Sequence, residues 1–210
     1  MNRISRALLL AAIPLALVAC NQSNADTGRT GQAAVQSSDI PALQTPSIEA
    51  ARKFARGFDT GNLTSTRQVY VFFDPQCPHC GEFWKEAKAL SQEARFTWVP
   101  VGVLNDFSTN QGLAILKSAK PVDTMNSHEE KLAAHMGGMD APDAATDPKG
   151  KAIIEQNTRL LASFGATGVP FIVGVNEQTK QVYSNAGGMP AAVFAQHLGW
   201  PRQSDATPAK

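Results

Sequence analysis

Two cysteines stand three positions apart in Cys77-Pro78-His79-Cys80. Such a pair can cycle between dithiol and disulfide. The attacking species is a thiolate, so thiol pKa governs the chemistry. Pro78 suits the first position of a helix, where its missing N–H costs nothing. Cys77 then falls at the helix N-cap, where unpaired backbone N–H groups and the helix dipole favour an anion. His79 adds a positive charge beside it and is read as a tuning residue. Together these predict a Cys77 pKa well below the free value of ~8.5. A stabilised thiolate also makes the disulfide form a better oxidant. Cys80 lies one turn into the helix, more buried, where it can resolve a mixed disulfide on Cys77.

Other uses of the pair fit less well. A disulfide across so short a loop removes little entropy from the unfolded chain, so stabilisation is a poor reason for it. A zinc site wants four ligands, and His128, His135 and His197 have no matching spacing. Haem attachment needs a His directly after the second Cys, where Gly81 stands. No metal and no cofactor are expected.

The chain's third cysteine is Cys20. Arg3 and Arg6 precede an apolar run from Ala7 to Ala19. This run is shorter than the roughly 20 residues of a membrane-spanning helix. It has the size of the apolar core of a secretory signal. Its end, Leu17-Val18-Ala19-Cys20, resembles the lipobox of bacterial lipoproteins. The resemblance implies a signal peptide over 1–19, cleavage before Cys20 and lipid on Cys20. An ordinary signal peptide cleaved nearby is the alternative, and either reading exports the chain. Asn21, by resemblance to enterobacterial lipoproteins, leans toward the outer membrane. With Cys20 consumed by lipid, a single thiol pair remains.

The elements that must position this pair follow an α/β order. The 210 residues are 43 % apolar with a net charge of +1, which fits one domain and argues against nucleic acid as a partner. Residues 20–46 are poor in large apolar side chains and read as a flexible tether. Residues 47–66 read as a linker helix region, with Ile48, Ala51, Phe54 and Phe58 on one face until Gly57 and Gly61 break it. Val69 to Phe73 is a continuous apolar run that suits a strand buried on both faces. From Pro78 a helix carries Phe83, Trp84, Ala87 and Leu90 on one face. A second strand is expected over Phe96 to Leu104, with Pro100 suggesting an edge or an irregularity. Residues at about 108–164 read as an inserted helical segment. Phe171–Val175 and Gln181–Ser184 form a hairpin, Pro190 starts a last helix, and 203–210 read as a disordered tail.

Two further stretches complete a family resemblance. Phe73-Asp74-Pro75-Gln76-Cys77-Pro78-His79-Cys80-Gly81-Glu82-Phe83-Trp84 resembles the active-site stretch of the DsbC/DsbG disulfide isomerases. The likeness continues through Val101-Gly102-Val103-Leu104, through Thr167-Gly168-Val169-Pro170-Phe171, and to Gly188-Met189-Pro190. It implies a thioredoxin fold with an inserted helical segment over 67–202. It also implies that Cys77 attacks and Cys80 resolves, and that Pro170 is a cis-proline facing the pair. Thr167, Val169 and Pro170 would then form the substrate-side loop, with the Val169 backbone pairing an extended segment.

The implied function is thiol–disulfide interchange in the periplasm, reducing or isomerising disulfides of exported proteins with cysteines. A membrane electron donor of the DsbD type, or an oxidase partner, would serve it. Two departures stand out. The Pro-His dipeptide is that of DsbA oxidases, where DsbG-type members carry Pro-Tyr. The family's separate N-terminal dimerisation domain has no counterpart before Val69, so a monomer is expected. A disulfide oxidase and a chaperone-like binding lipoprotein are the alternatives.

Of the remaining residues, His128, His135 and His197 read as surface or partly buried helix positions. Met125, Met136 and Met139 read as packing residues rather than as an adaptable apolar surface. Asp74 has two readings, proton transfer or capping of the turn.

Overall fold

The computed structural model describes Ile40 and residues 43–201. The expected signal peptide, Cys20, most of the 20–46 tether and the 203–210 tail lie outside the described residues. Among the described residues no helix is long and apolar enough to cross a membrane.

Five strands form one mixed sheet: β1 (Phe58–Gly61), β2 (Gln68–Phe73), β3 (Arg95–Pro100), β4 (Phe171–Val175) and β5 (Val182–Ala186). Their spatial order is β1-β3-β2-β4-β5. β2 and β3 run parallel, and the other pairs are antiparallel. Helices α1 (Ile48–Phe54), α2 (Pro78–Lys88), α3 (Asp106–Lys117), α4 (Pro121–Ala133), α5 (Pro148–Ser163) and α6 (Ala191–His197) surround it.

β2 explains the two-layered core. Successive side chains of a strand point to opposite faces. Val69, Val71 and Phe73 enter one core with Phe83, Trp84, Trp98 and Phe194. Tyr70 and Phe72 enter the other with Phe54, Leu160 and Phe164. Trp98 is fully buried and meets Trp84 edge-on, with ring centroids 4.7 Å apart. Such aromatic pairs add about 0.5–1.5 kcal/mol beyond area burial. The parallel β2–α2–β3 unit leaves the Asp74–Cys77 turn at the carboxyl end of a central strand, where open α/β sheets place their sites.

The helical insertion follows β3. α3 starts at a capping box in which Asn105 and Ser108 satisfy each other's backbone N–H groups. α5 starts at Pro148 behind an Asp147 cap. Asn157 on α5 ties the insertion to the domain, with its amide bonding the Arg56 and Pro100 carbonyls at 2.7 and 2.9 Å.

Three local expectations change. β1 is a strand where a helical face was read through Phe58. The extended chain there pairs with β3, and the Trp98 indole donates to Thr60 Oγ1 at 3.1 Å. β3 is an interior strand, flanked by β1 and β2. Pro100 is tolerated because β1 pairs only from Arg95 to Trp98, so no neighbour on that side needs an N–H from Pro100. Finally, α1 belongs to the domain's packing: Ile48, Ala51 and Phe54 are buried in the second core, and Ile40 and Leu43 pack on it.

Candidate active site

The turn before Cys77 is built around one carboxylate. Asp74 is fully buried. Its Oδ1 accepts from the Gln76 N–H at 2.9 Å and the Ser108 hydroxyl at 2.7 Å. Its Oδ2 accepts from the Val103 and Leu104 N–H groups at 2.7 and 3.0 Å. A carboxylate has about four lone-pair sites, and all are taken. Of the two readings of Asp74, the geometry is that of a cap, here one that also binds the start of the insertion. The Cys77 N–H then donates to the Asp74 carbonyl at 3.0 Å.

Cys77 is the extended N-cap of α2 and Pro78 its first residue. Cys77 and Cys80 are both free thiols and both buried, Cys80 completely. Their acidities are pushed apart. The Cys77 pKa falls to about 6, chiefly because the Cys80 thiol donates to its sulfur; burial opposes this, and the Cys80 and His79 backbone N–H groups reinforce it. Burial pushes the Cys80 thiol well up, and the Cys77 thiolate adds to that. His79 acts on Cys77 less than the sequence suggests. Its ring is exposed and its Nδ1 pairs with Glu82 Oε2 at 2.9 Å. That pairing raises the His79 pKa.

The helical insertion supplies groups that sequence reasoning missed. Glu129 on α4 is 5 % exposed, and its Oε1 has no hydrogen-bond partner among the described residues. Burial, with the Cys77 thiolate adding to it, raises its pKa to about 8. A side chain at Gly81, the residue after Cys80, would collide with Glu129 Oε2. The carboxyl therefore packs directly on α2 beside the thiol pair and can hold or release a proton near neutral pH.

His128 is fully buried, where a surface or partly buried helix position was expected. Its Nδ1 accepts from the Met139 N–H at 3.1 Å, so the proton lies on Nε2, which donates to the Pro75 carbonyl at 2.7 Å. Burial lowers its pKa, in keeping with that neutral tautomer. No motif marks Glu129 or His128; the one available signal is their adjacency in a segment that otherwise reads as a surface helix.

The loop before β4 closes the other side. The Val169–Pro170 peptide bond is cis. Cys77 Sγ lies 3.5 Å from the Val169 carbonyl, to which the protonated thiol donates. Among the described residues the Val169 N–H has no acceptor. Thr167 and Gly168 are exposed just ahead of it. Gly188 packs on Phe83 and the His79 carbonyl, so the segment before α6 also borders the motif. Cys77, Pro78, Cys80, Val169 and Pro170 are thus brought together, His79 points away toward Glu82, and Thr167 stands at the rim.

A family profile described as "Thioredoxin-like domain" matches residues 58–199. The chain belongs to the thioredoxin-like domain family. Within it, the chain is similar to the thiol:disulfide interchange protein DsbG of Pseudomonas aeruginosa, 26 % identical over 132 residues, covering 62 % of this chain and 50 % of that protein. It is likewise similar to DsbG of Escherichia coli, 29 % identical over 127 residues, covering 58 % of this chain and 48 % of that protein. The chain spans about half the length of these relatives. A solved thioredoxin-like oxidoreductase from Silicibacter pomeroyi shares the fold, with a TM-score of 0.55 at 18 % identity over 73 % of this chain and 96 % of that one.

Proposed function

We propose that this chain exchanges disulfides in exported proteins, acting as a reductase or isomerase in the bacterial cell envelope. The opposed acidity of the two thiols carries the exchange chemistry, a Cys77 thiolate at neutral pH beside a Cys80 held as thiol, and the similarity to DsbG supports the reductase or isomerase direction.

The Cys77 thiolate attacks one sulfur of a client disulfide. A Cys77–client bond forms, the client S–S bond breaks, and the second client sulfur leaves as a thiolate that takes a proton from solvent. Cys80 then gives its proton to Glu129 in its ionised form and attacks Cys77 Sγ. The Cys77–Cys80 disulfide forms and the client leaves reduced. Isomerisation instead ends when another client thiolate attacks the mixed disulfide and frees Cys77. A dithiol donor of the DsbD type then reduces the Cys77–Cys80 disulfide back to the two thiols and is itself left as a disulfide. Leu17-Val18-Ala19-Cys20 supports export and a lipid anchor at Cys20, with Asn21 favouring the outer membrane.

The Pro78-His79 dipeptide and the lowered Cys77 pKa favour a second reading, an oxidase that donates its disulfide. The steady-state redox form of the pair in growing cells, by acid quench and thiol alkylation, separates the two. A mostly reduced pair supports the reductase or isomerase; a mostly oxidised pair supports the oxidase.

A further inference from the structure

α4 grips the Cys77–Cys80 motif at both ends through neighbouring residues. Glu129 packs on Gly81, the residue after Cys80, and His128 donates to the carbonyl of Pro75, ahead of Cys77. His128 also holds the loop that follows α4, since its Nδ1 accepts from the Met139 N–H at 3.1 Å. Its ring fills the space beside Gly138, where a side chain would collide with it. Gly138 stands at φ +83°, a conformation that glycine takes readily.

The same loop returns to the turn through two side-chain amides. Gln111 Nε2 donates to the Gly137 and Met139 carbonyls at 2.9 and 2.8 Å. Gln76 Nε2 donates to Gln111 Oε1 at 2.6 Å and to the Gly137 carbonyl at 2.9 Å. Pro75, His128, Met139, Gln111 and Gln76 therefore close a ring of hydrogen bonds. Pro75 and Gln76 are adjacent residues of the turn that presents Cys77. This ring admits one proton arrangement: His128 neutral, with its proton on Nε2 and Nδ1 left as acceptor. A proton added at Nδ1 would face the Met139 N–H, donor against donor, in a fully buried place.

We propose that His128 is a positioning residue of the exchange reaction, and an acid-sensitive one. As neutral imidazole it fixes Pro75 and Gln76 while Cys77 attacks; on gaining a proton at Nδ1 it lets go of Met139 and frees the turn. Its effect on rate rests on the disulfide-exchange reading above; the lock itself does not. Burial opposes a charge on the ring most, and Lys131 on α4 adds to that, while the Pro75 carbonyl and the Asp74 carboxylate of the turn favour one. Glu129, the next residue of α4, has its carboxyl against α2. Gly137, Gly138, Met139 and Gln111 bring no charge to the ring. The lock therefore holds at neutral pH and opens in acid.

NMR of the His128 ring and hydrogen exchange at the Met139 amide test the lock in the whole chain, from neutral pH downward. The Met139 protection factor is expected to fall at least about tenfold, with the same midpoint as the ring. His128→Asn offers an oxygen near the place of Nδ1 that does not titrate, so Met139 should stay protected throughout. His128→Gln offers a donor near the place of Nε2 and should leave Met139 open at every pH. Urea midpoints report that both variants fold. The rate of attack on a glutathione-capped cysteine peptide, divided by the Cys77 thiolate fraction from ultraviolet absorbance, should fall about tenfold across the same midpoint. In His128→Asn that quotient should stay level. Protection that outlasts the titration of the ring, or a ring that stays neutral until the chain unfolds, overturns the lock. A rate per thiolate that ignores the midpoint overturns the positioning role. No exchange with the peptide at neutral pH overturns the exchange reading, while the Met139 amide still decides the lock.

Discussion

Glu129 Oε2 stands where a side chain at residue 81 would be, and Gly81 leaves that space open. The acid on α4 of the insertion and the helix of the thiol pair are thus fitted to each other. Thiol chemistry and the stability of the fold meet at this contact.

Glu129 should make stability depend on pH. Its folded pKa is raised from 4.5 to about 8, so within that window the folded chain keeps a proton that the unfolded chain releases. Stability therefore falls as pH rises from about 4.5 toward 8. Glu129→Gln stays neutral and should flatten that slope, as read from urea midpoints across the window. The same variant should slow resolution of a Cys77 mixed disulfide by at least about tenfold, the loss of a positioned proton acceptor. An unchanged slope would show that the proton is bound elsewhere.

The Cys77 titration discriminates between two sources of thiolate stability. The Cys80 thiol is the largest cause and the His79 charge the smallest of those named. Cys80→Ala should move the Cys77 midpoint up from about 6 by much more than His79→Ala does, followed by thiolate ultraviolet absorbance. Because the folded pKa is lowered from 9.0, the thiolate's stabilising contribution is complete above that value and is lost as pH falls through about 6. A larger shift from His79→Ala would mean that the imidazolium turns toward Cys77 in solution.

Asp74→Ala should be the most damaging single change near the site. It leaves three backbone N–H groups and the Ser108 hydroxyl without their acceptor in a buried setting. Buried unsatisfied groups cost about 1–3 kcal/mol each before relaxation, so a loss of at least ~3 kcal/mol is expected by urea denaturation. A loss under ~1 kcal/mol would show that water replaces the carboxylate at no great cost.

Much of this fold can be read from local signals. The apolar run Val69–Phe73 is buried on both faces, as such runs are in sheets with helices on either side. Pro78 starts a helix because proline needs no acceptor there. β1 escaped notice because its four residues carry one apolar side chain, and its pairing with β3 is a contact across the chain. Glu129 and His128 escaped for the same kind of reason. Ser127-His128-Glu129-Glu130-Lys131 looks like a solvated helix face, and only packing against Pro75 and Gly81, some fifty residues earlier, buries two of its members. The restrained part of His79 was equally hidden, since Glu82 lies within reach only once α2 has formed.

The central claim is that Cys77 is the attacking thiol, and trapping tests it most directly. A Cys80→Ser chain incubated with a disulfide-bonded peptide and analysed by intact mass and peptide mapping should carry the peptide on Cys77. The further change Cys77→Ser should abolish that adduct. A Cys80→Ser chain that forms no adduct at neutral pH, or an adduct that survives the loss of Cys77, would contradict the account.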